Sequence, residues 1–414
     1  MRNDEGAPGW RNLASRTKVW SHRIREPELT IESCRPHFAR AGITRVANVT
    51  GLDRIGIPVV MVMRPNARSV AVSAGKGLTT EAAMASGIME AMESYHAENI
   101  IASLFRGSAS ELRSRRPYDR LHLLPRYAAQ AASPSQCVWI EAECLGQAYT
   151  RLVPFELISA DFTEPRLPGF GEFLQSTNGL ASGNCCEEAL LHAICETIER
   201  DSLSLWQRCS SAQRSNSFVD LASVDDPDAV RVMDMLAASG FEIAAWDITS
   251  EVGVPAFHCV IVDRSQGTRH HGSGSGCHPS PGTALVRALT ESVQVRLTYV
   301  SGARDDIDKI DYATGHQKEA LHRLNAEIAR GKSAARRSFH AQGGFHGHDI
   351  RDDLDWVVER LAAAGLNEVF YVDLSRPDIG IPVVKVVVPG LLGPESHPDE
   401  LQTPRDTARL SALR

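Results

Sequence analysis

From Asn184 to Trp206 the chain reads as one long helix whose acidic and apolar positions separate onto different faces. At roughly 100° per residue, Glu188, Glu196 and Glu199 fall in one sector less than about 90° wide. Leu190, Leu191, Ile194 and Ile198 take other faces and predict a seat in a core. A solvated face normally mixes lysine with glutamate. Here carboxylates gather in a mostly apolar setting, where they need a cation, so the stripe reads as a metal site.

Hydrophobic runs elsewhere recur in a fixed order. A helical pattern from Ile31 ends at Gly42, followed by Ile43–Val46, a turn at Asp53 and Gly56-Ile-Pro58-Val-Val-Met-Val. A second copy starts near Asp228, with a helix ending at Gly240, then Phe241–Trp246 and Gly253-Val-Pro255 leading into Val262. The third has a helix from Leu354 ending at Gly365, then Glu368–Val372 and Gly380-Ile-Pro382 leading into Val388. From glycine to proline the gaps are 16, 15 and 17 residues. Each copy predicts helix, glycine cap, strand, turn and strand. Proline at the head of a strand spares the ladder a missing donor. After the first two copies, Ser73–Gly77 and Gly272–Pro279 read as glycine-containing turns into helices Thr80–Ala97 and Pro281–Val300. The fold class expected is α/β, with mixed sheets and repeated helix-strand-strand units.

Residues 1–26 read as a flexible N-terminal extension, 27–395 as the domain and 396–414 as a C-terminal tail. Arg106–Pro134 and the charged stretch Asp305–Asp349 read as connecting regions. A chain of 414 residues with 43% apolar and 23% charged positions is expected to be soluble and globular. A net charge of -7 argues against a nucleic-acid partner, and no apolar run reaches the ~18 residues of a membrane span. Nine cysteines without CxxC spacing point to free thiols in a reducing cytoplasm rather than to disulfides or zinc.

Three helices line up by their acids: Glu90 and Glu93, Glu196 and Glu199, Glu291 and Gln294, each pair spaced i, i+3 on one face. Ser86 precedes Glu90 by one turn. If the helices converge, Glu90, Glu93, Glu188, Glu196 and Glu199 form a cluster that divalent ions neutralise. Hard oxygen ligands favour Mg²⁺, which shares its shell with phosphate oxygens. Arg200, Arg287, Arg296 and Lys76 are then candidate phosphate clamps. Neither GxxxxGK[ST] nor GxGxxG after a strand occurs, so a P-loop or Rossmann site is excluded. Each feature alone has an ordinary alternative: a Glu-x-x-Glu pair as a solvated face, Asn184 as a helix cap, Arg200 beside Asp201 as a surface pair.

At these residues the sequence resembles the YcaO family. Ser86, Glu90 and Glu93 fit its SxxxExxE pattern, with Ser94 where arginine is usual. Asn184, Glu188, Glu196, Glu199 and Arg200 fit NxxxExxxxxxxExxER. Arg287–Leu297, Ser301–Asp306 and Ile379–Gly390 fit later blocks. The resemblance covers roughly residues 27 to 395.

That resemblance implies a YcaO-type fold with ATP between acid-bearing helices, and an enzyme that activates peptide backbone amides with ATP. Glu90, Glu93, Glu188, Glu196 and Glu199 would hold Mg²⁺; Ser86, Asn184, Arg200, Gln294 and Arg296 would contact ATP. No single catalytic residue is singled out. Azoline-forming members commonly end in a proline-rich PxPxP tail, whereas this chain ends Thr403–Arg414 without one. With the GLDRIGIPV and SAGKGLT segments, this is most like the TfuA-associated, thioamide-forming branch. The partners implied are a TfuA-like protein, a ribosomal precursor peptide or protein and a separate leader-recognition protein, with a homodimer as a further expectation. Azoline cyclodehydration is the alternative chemistry, with amidine formation behind it. A non-catalytic nucleotide-binding scaffold is the alternative of a different class.

Overall fold

The computed structural model describes residues 17–127, 137–264, 271–305, 307 and 309–393. The C-terminal tail from residue 396, Asp306 and residues 1–16 of the N-terminal extension lie outside the described residues. In chain order the elements begin with α1 (Pro27–Cys34), α2 (Phe38–Ala41), β1 (Arg45–Asn48), β2 (Val59–Met63), β3 (Val72–Lys76) and α3 (Thr80–Glu98). Next come β4 (Leu104–Gly107), β5 (Cys137–Cys144), β6 (Thr150–Pro154), β7 (Leu180–Ser182), α4 (Cys186–Arg208), α5 (Ser211–Ser215) and α6 (Pro227–Ala238). The remainder is β8 (Phe241–Asp247), β9 (Ala256–Asp263), β10 (Gly272–Cys277), α7 (Pro281–Ser301), α8 (Thr314–Ser333), α9 (Ile350–Ala363), β11 (Phe370–Asp373) and β12 (Val383–Val387). Pairings between these strands are all antiparallel.

The chain forms two compact units. The first comprises Glu26–Ala91 and Leu205–His346; the second holds Met92–Ser204 with residues 17–25 and 347–393. In the first unit, β1-β2-β3 and β8-β9-β10 make two three-stranded sheets. Both are introduced by a helix that stops at a left-handed glycine, Gly42 at φ 73° and Gly240 at φ 76°. A side chain with a Cβ resists that conformation, so glycine ends the helix there. Ile57, Val59, Leu236, Phe257, Leu285 and Leu289 belong to the core of this unit, each fully buried aliphatic or aromatic side chain contributing about 1.5–3 kcal/mol.

The segments expected as glycine-containing turns are strands instead, β3 and β10. Gly272, Gly274 and Gly276 alternate along β10 and so face one side, the side covered by α7. A Cβ on Gly274 would lie 2.5 Å from the Ala288 carbonyl oxygen and 2.6 Å from Glu291 Cβ; one on Gly276 would lie 2.2 Å from the Ala284 carbonyl oxygen. Gly75 does the same under α3, where a Cβ would meet the Ala83 oxygen at 2.1 Å. These glycines bring helix backbone directly onto strand backbone, which low strand propensity conceals in the sequence.

In the second unit a six-stranded sheet runs β4-β5-β11-β12-β7, with β6 also on β5. In the third helix-strand-strand copy, α9-β11-β12, the helix again stops at a left-handed glycine, Gly365 at φ 81°. The strand beside β12 is β7, from about 200 positions earlier in the chain, and α4 follows β7. The third copy is thus completed out of sequence order.

The registers make the three copies equivalent. The residue after each proline pairs with Lys76, Cys277 and Ser182 in turn. Fourteen residues beyond these stand Glu90, Glu291 and Glu196, and three further on Glu93, Gln294 and Glu199. The acidic stripe of α4 therefore occupies the structural position of the acids on α3 and α7. The connecting stretch after Asp305 contains a helix of its own, α8. All nine cysteines are free. Among the described residues no helix is long and apolar enough to cross a membrane.

Candidate active site

In the first unit the expected residues gather at the outer strand β3. Lys76, its last residue, places Nζ 2.6 Å from Glu291 Oε2 on α7. The Ser275 N–H donates to the other Glu291 oxygen at 3.5 Å. Ala74 offers its backbone to two site side chains. Its N–H donates to Glu90, and Gln294 Nε2 donates to its carbonyl at 2.7 Å. Burial lifts the Glu90 carboxyl above its ordinary range, against the opposing pull of Lys76, the Ala74 N–H and Arg304. Gln294 Oε1 is buried with no hydrogen-bond partner among the described residues. Ser86 and Arg287 sit partly buried one turn before Glu90 and Glu291.

Arg296, expected as a phosphate clamp, is 2% exposed. Its Nε lies 3.4 Å from Asp53 Oδ2 and its Nη2 3.8 Å from Asp263 Oδ2, with the guanidinium 4.9 Å from the Phe241 ring centroid. Arg54 binds the same Asp263 at 2.6 Å. The structure thus commits Arg296 to buried carboxylates that tie the turn before β2 to β9, a role that requires no ligand.

In the second unit the acids are held at the start of α4. Glu93 Oε1 accepts both the Ser182 N–H at 2.8 Å and the Ser182 hydroxyl at 2.7 Å. Glu188, 2% exposed, accepts from Asn184 through its N–H at 2.8 Å and its Nδ2 at 3.0 Å. Its other oxygen, Oε1, accepts the Ile24 N–H at 2.6 Å, while Arg23 Nη1 lies 3.6 Å from the Oε2 that Asn184 binds. Asn184 therefore fixes a site carboxylate one turn into the helix as well as leading into it. Arg200 Nη2 lies 4.0 Å from Glu196 Oε1, and Glu199 is buried at 4% exposure. Ser94, standing where the resemblance has arginine, is buried. Residues 17–25 have fixed partners: besides Ile24, Lys18 Nζ lies 2.6 Å from Asp353 Oδ2 and donates to the Gly347 carbonyl at 2.9 Å.

Two functional candidates escaped the sequence reading. Glu291 was noticed only for its spacing, yet it is the partner of Lys76. Lys385 lies in the apolar run of β12 at 1% exposure, and its Nζ donates to the Ser176 carbonyl at 2.5 Å. Burial draws its ammonium down to about 7, with the Glu196 carboxylate opposing. A lysine inside Val-Val-Lys-Val-Val-Val was the available signal, since lysine is almost never fully buried without a partner.

The residues present suit Mg²⁺ and a nucleotide. Glu93, Glu188, Glu196 and Glu199 in the second unit are hard oxygen donors without the sulfur and imidazole set of a zinc site. In the first unit the desolvated Glu90 and the unpartnered Gln294 Oε1 are groups that an incoming cation or donor satisfies.

Comparison with known proteins agrees. The family model described as "YcaO cyclodehydratase, ATP-ad Mg2+-binding" matches residues 74–392. An uncharacterized protein from the tfuA 3' region of Rhizobium leguminosarum bv. trifolii is 34% identical over 373 residues, covering 88% of this chain and 87% of that protein. An uncharacterized protein of Methanothermobacter thermautotrophicus is 34% identical over 382 residues, covering 88% and 94%. Among solved structures, a heterocyclase in complex with substrate and cofactor matches with a TM-score of 0.74 at 24% identity. It aligns over 92% of this chain, which spans 54% of that one. YcaO from Methanopyrus kandleri bound with AMPPCP and Mg²⁺ matches with a TM-score of 0.70 at 24% identity, covering 90% and 94%. At that identity the two structures speak to the fold. The chain belongs to the YcaO family, whose members are ATP-dependent enzymes with ATP and Mg²⁺ as cofactors.

Proposed function

We propose that this protein uses Mg-ATP to activate a backbone amide of a ribosomally made peptide or protein, and that the product is a thioamide. The observation carrying the ATP-dependent part is the repeated offset that gives α3, α4 and α7 the same pair of acid or amide positions. The thioamide part rests on likeness to a relative from a tfuA region, which also nominates a TfuA-like protein as the partner that brings sulfur.

In this reading Glu90, Glu93, Glu188, Glu196 and Glu199 hold Mg²⁺, while Ser86, Lys76, Asn184, Arg200, Arg287 and Gln294 contact ATP. Arg296 positions the turn before β2 instead. Bound Mg-ATP supplies an electrophilic phosphoryl group whose developing charge is neutralised by metal and cations. The protein's own work is alignment. Ser182 and Asn184 fix the Glu93 and Glu188 carboxylates through backbone and side-chain donors, so little reorganisation remains when charge develops. Hydrosulfide adds to the amide carbon, the resulting oxyanion attacks the γ-phosphorus and displaces ADP, and departure of the oxygen as hydrogen phosphate, which takes up the S–H proton, leaves C=S in place of C=O.

Azoline formation is the second reading, favoured by the cyclodehydratase description of the family. Incubation with a TfuA-like partner, ATP, sulfide and a candidate peptide separates the two by mass. Exchange of oxygen for sulfur adds about 16 Da, whereas loss of water removes about 18 Da. Loss of water in the absence of sulfide would replace thioamidation with cyclodehydration.

A further inference from the structure

β4 lies at an edge of the six-stranded sheet. It pairs with β5 from Leu104↔Ile140 to Gly107↔Cys137, and among the described residues no other strand pairs with it. Its far end is pinned, because Trp139 Nε1 donates to the Gly107 carbonyl at 2.8 Å. An edge held extended in this way offers backbone N–H and C=O groups to an incoming strand. Apolar side chains stand in water along it: Ile101 is 63% exposed and Leu104 44%. A link of five residues joins β4 to α3, the helix that carries Glu93.

Positive charge gathers beside this edge. From Ile101 to Arg120 the chain has five arginines against Glu111 and Asp119, although its net charge is -7. Arg106 lies on β4 itself. Arg113 and Arg115 share one 3-10 turn, and the Arg115 guanidinium is 4.4 Å from the Phe105 ring centroid. A Cβ on Gly107 would lie 3.1 Å from Glu111 Oε2 and 3.5 Å from Leu112 Cγ, so this stretch folds back against β4. Arg116 ends the turn in a left-handed conformation, φ 54°, which is uncommon for a residue other than glycine. Glu111 Oε2 accepts the Ser108 N–H at 2.7 Å and the Ser108 hydroxyl at 2.9 Å, within its own loop. Arg106, Arg113, Arg115 and Arg116 are exposed, and among the described residues none of them has a carboxylate partner. One charge suffices to keep an edge strand from pairing with its neighbours. Four without a counter-charge favour an acidic partner.

We propose that the β4 edge takes an extended acidic segment of the peptide or protein that is modified, added to the sheet as a further strand. Its carboxylates meet Arg106 and the arginine turn, and its aliphatic side chains meet Ile101 and Leu104. This rests on the reading that the substrate is a peptide chain. An unfolded segment brings free backbone groups of its own, whereas folded proteins protect their edges. Backbone pairing sets where the segment runs, and the arginines select the sign of its charge.

The probe is a fluorescein-labelled peptide alternating glutamate with valine. Its fully N-methylated form and a lysine-valine peptide are the controls. Fluorescence anisotropy with the full chain and no nucleotide is expected to show saturable binding of the acidic peptide and none of the basic one. The double variant Arg106→Glu/Arg113→Glu weakens that binding about tenfold, and N-methylation, which removes the backbone donors, weakens it by at least about tenfold. No binding of the acidic peptide overturns the proposal, and so does binding that the arginine changes leave intact. Equal binding of the N-methylated peptide also overturns it, since charge would then act without strand pairing. Sedimentation of wild type and Arg106→Glu, alone and with the TfuA-like protein, tests the other occupants. An association that Arg106→Glu removes would give the edge to a second copy or to that partner, and overturn the proposal. Wild-type protein that binds the peptide but no non-hydrolysable Mg-ATP analogue would remove the Mg-ATP reading alone; the reverse result would remove the docking edge alone.

Discussion

Glu196→Gln and Glu199→Gln each lower peptide-dependent ATP consumption by about a hundredfold to a thousandfold, with the fold intact. Both residues stand at the offsets shared by α3, α4 and α7, and Glu199 is 4% exposed. Glutamine keeps shape and one oxygen but surrenders the charge that neutralises a dication, so the loss falls on catalysis. Stability moves little, because each change also relieves repulsion among neighbouring carboxylates. Thermal unfolding and phosphate release, measured on the same preparations, separate the two effects. Variants that consume ATP at the wild-type rate would remove the metal assignment.

Gly274→Val is expected to cost about 3–5 kcal/mol of stability, enough to unfold a marginal protein. A Cβ at this position would lie 2.5 Å from both the Ala288 oxygen and the Ser292 nitrogen, and 2.6 Å from Glu291 Cβ. Those are helix atoms, so α7 must shift away from β10 and carry Glu291 and Gln294 with it. The comparison is Gly315→Ala on α8, where nothing lies within 4 Å of an added Cβ. That change is expected to be neutral or to stabilise by up to about 1 kcal/mol. Urea unfolding of both variants tests the contrast; equal, small effects would mean that the helix does not rest on the glycines.

The helix-ending glycines and the Gly-aliphatic-Pro heads of β2, β9 and β12 were legible in the sequence. Each reflects a backbone conformation or a missing donor that few residues tolerate. The acid pairs were legible for a similar reason: three helices repeat one spacing, and carboxylates at i, i+3 share a face. What the sequence hid depends on long-range pairing. β3, through Gly75, and glycine-rich β10 look like turns until helices are laid on them, because the need for a bare backbone arises only from that approach. The continuation of the third copy is hidden because its last strand and helix, β7 and α4, come earlier in the chain. Arg296 looked like a phosphate ligand by its place on α7. Its partners Asp53 and Asp263 are far away in sequence, and no local pattern announces them. Lys385 was written into the chain as plainly as any glutamate, but a basic residue in an apolar run has no meaning until its burial and its Ser176 partner are known.

The central claim is that an amide oxygen leaves the substrate on phosphorus, whichever nucleophile replaces it. A candidate precursor peptide carrying ¹⁸O at the backbone carbonyl tests this directly, with the protein, its TfuA-like partner, Mg-ATP and sulfide present. The account predicts that the phosphate released carries the ¹⁸O, in proportion to the thioamide formed. Phosphate free of label beside a modified peptide would contradict it.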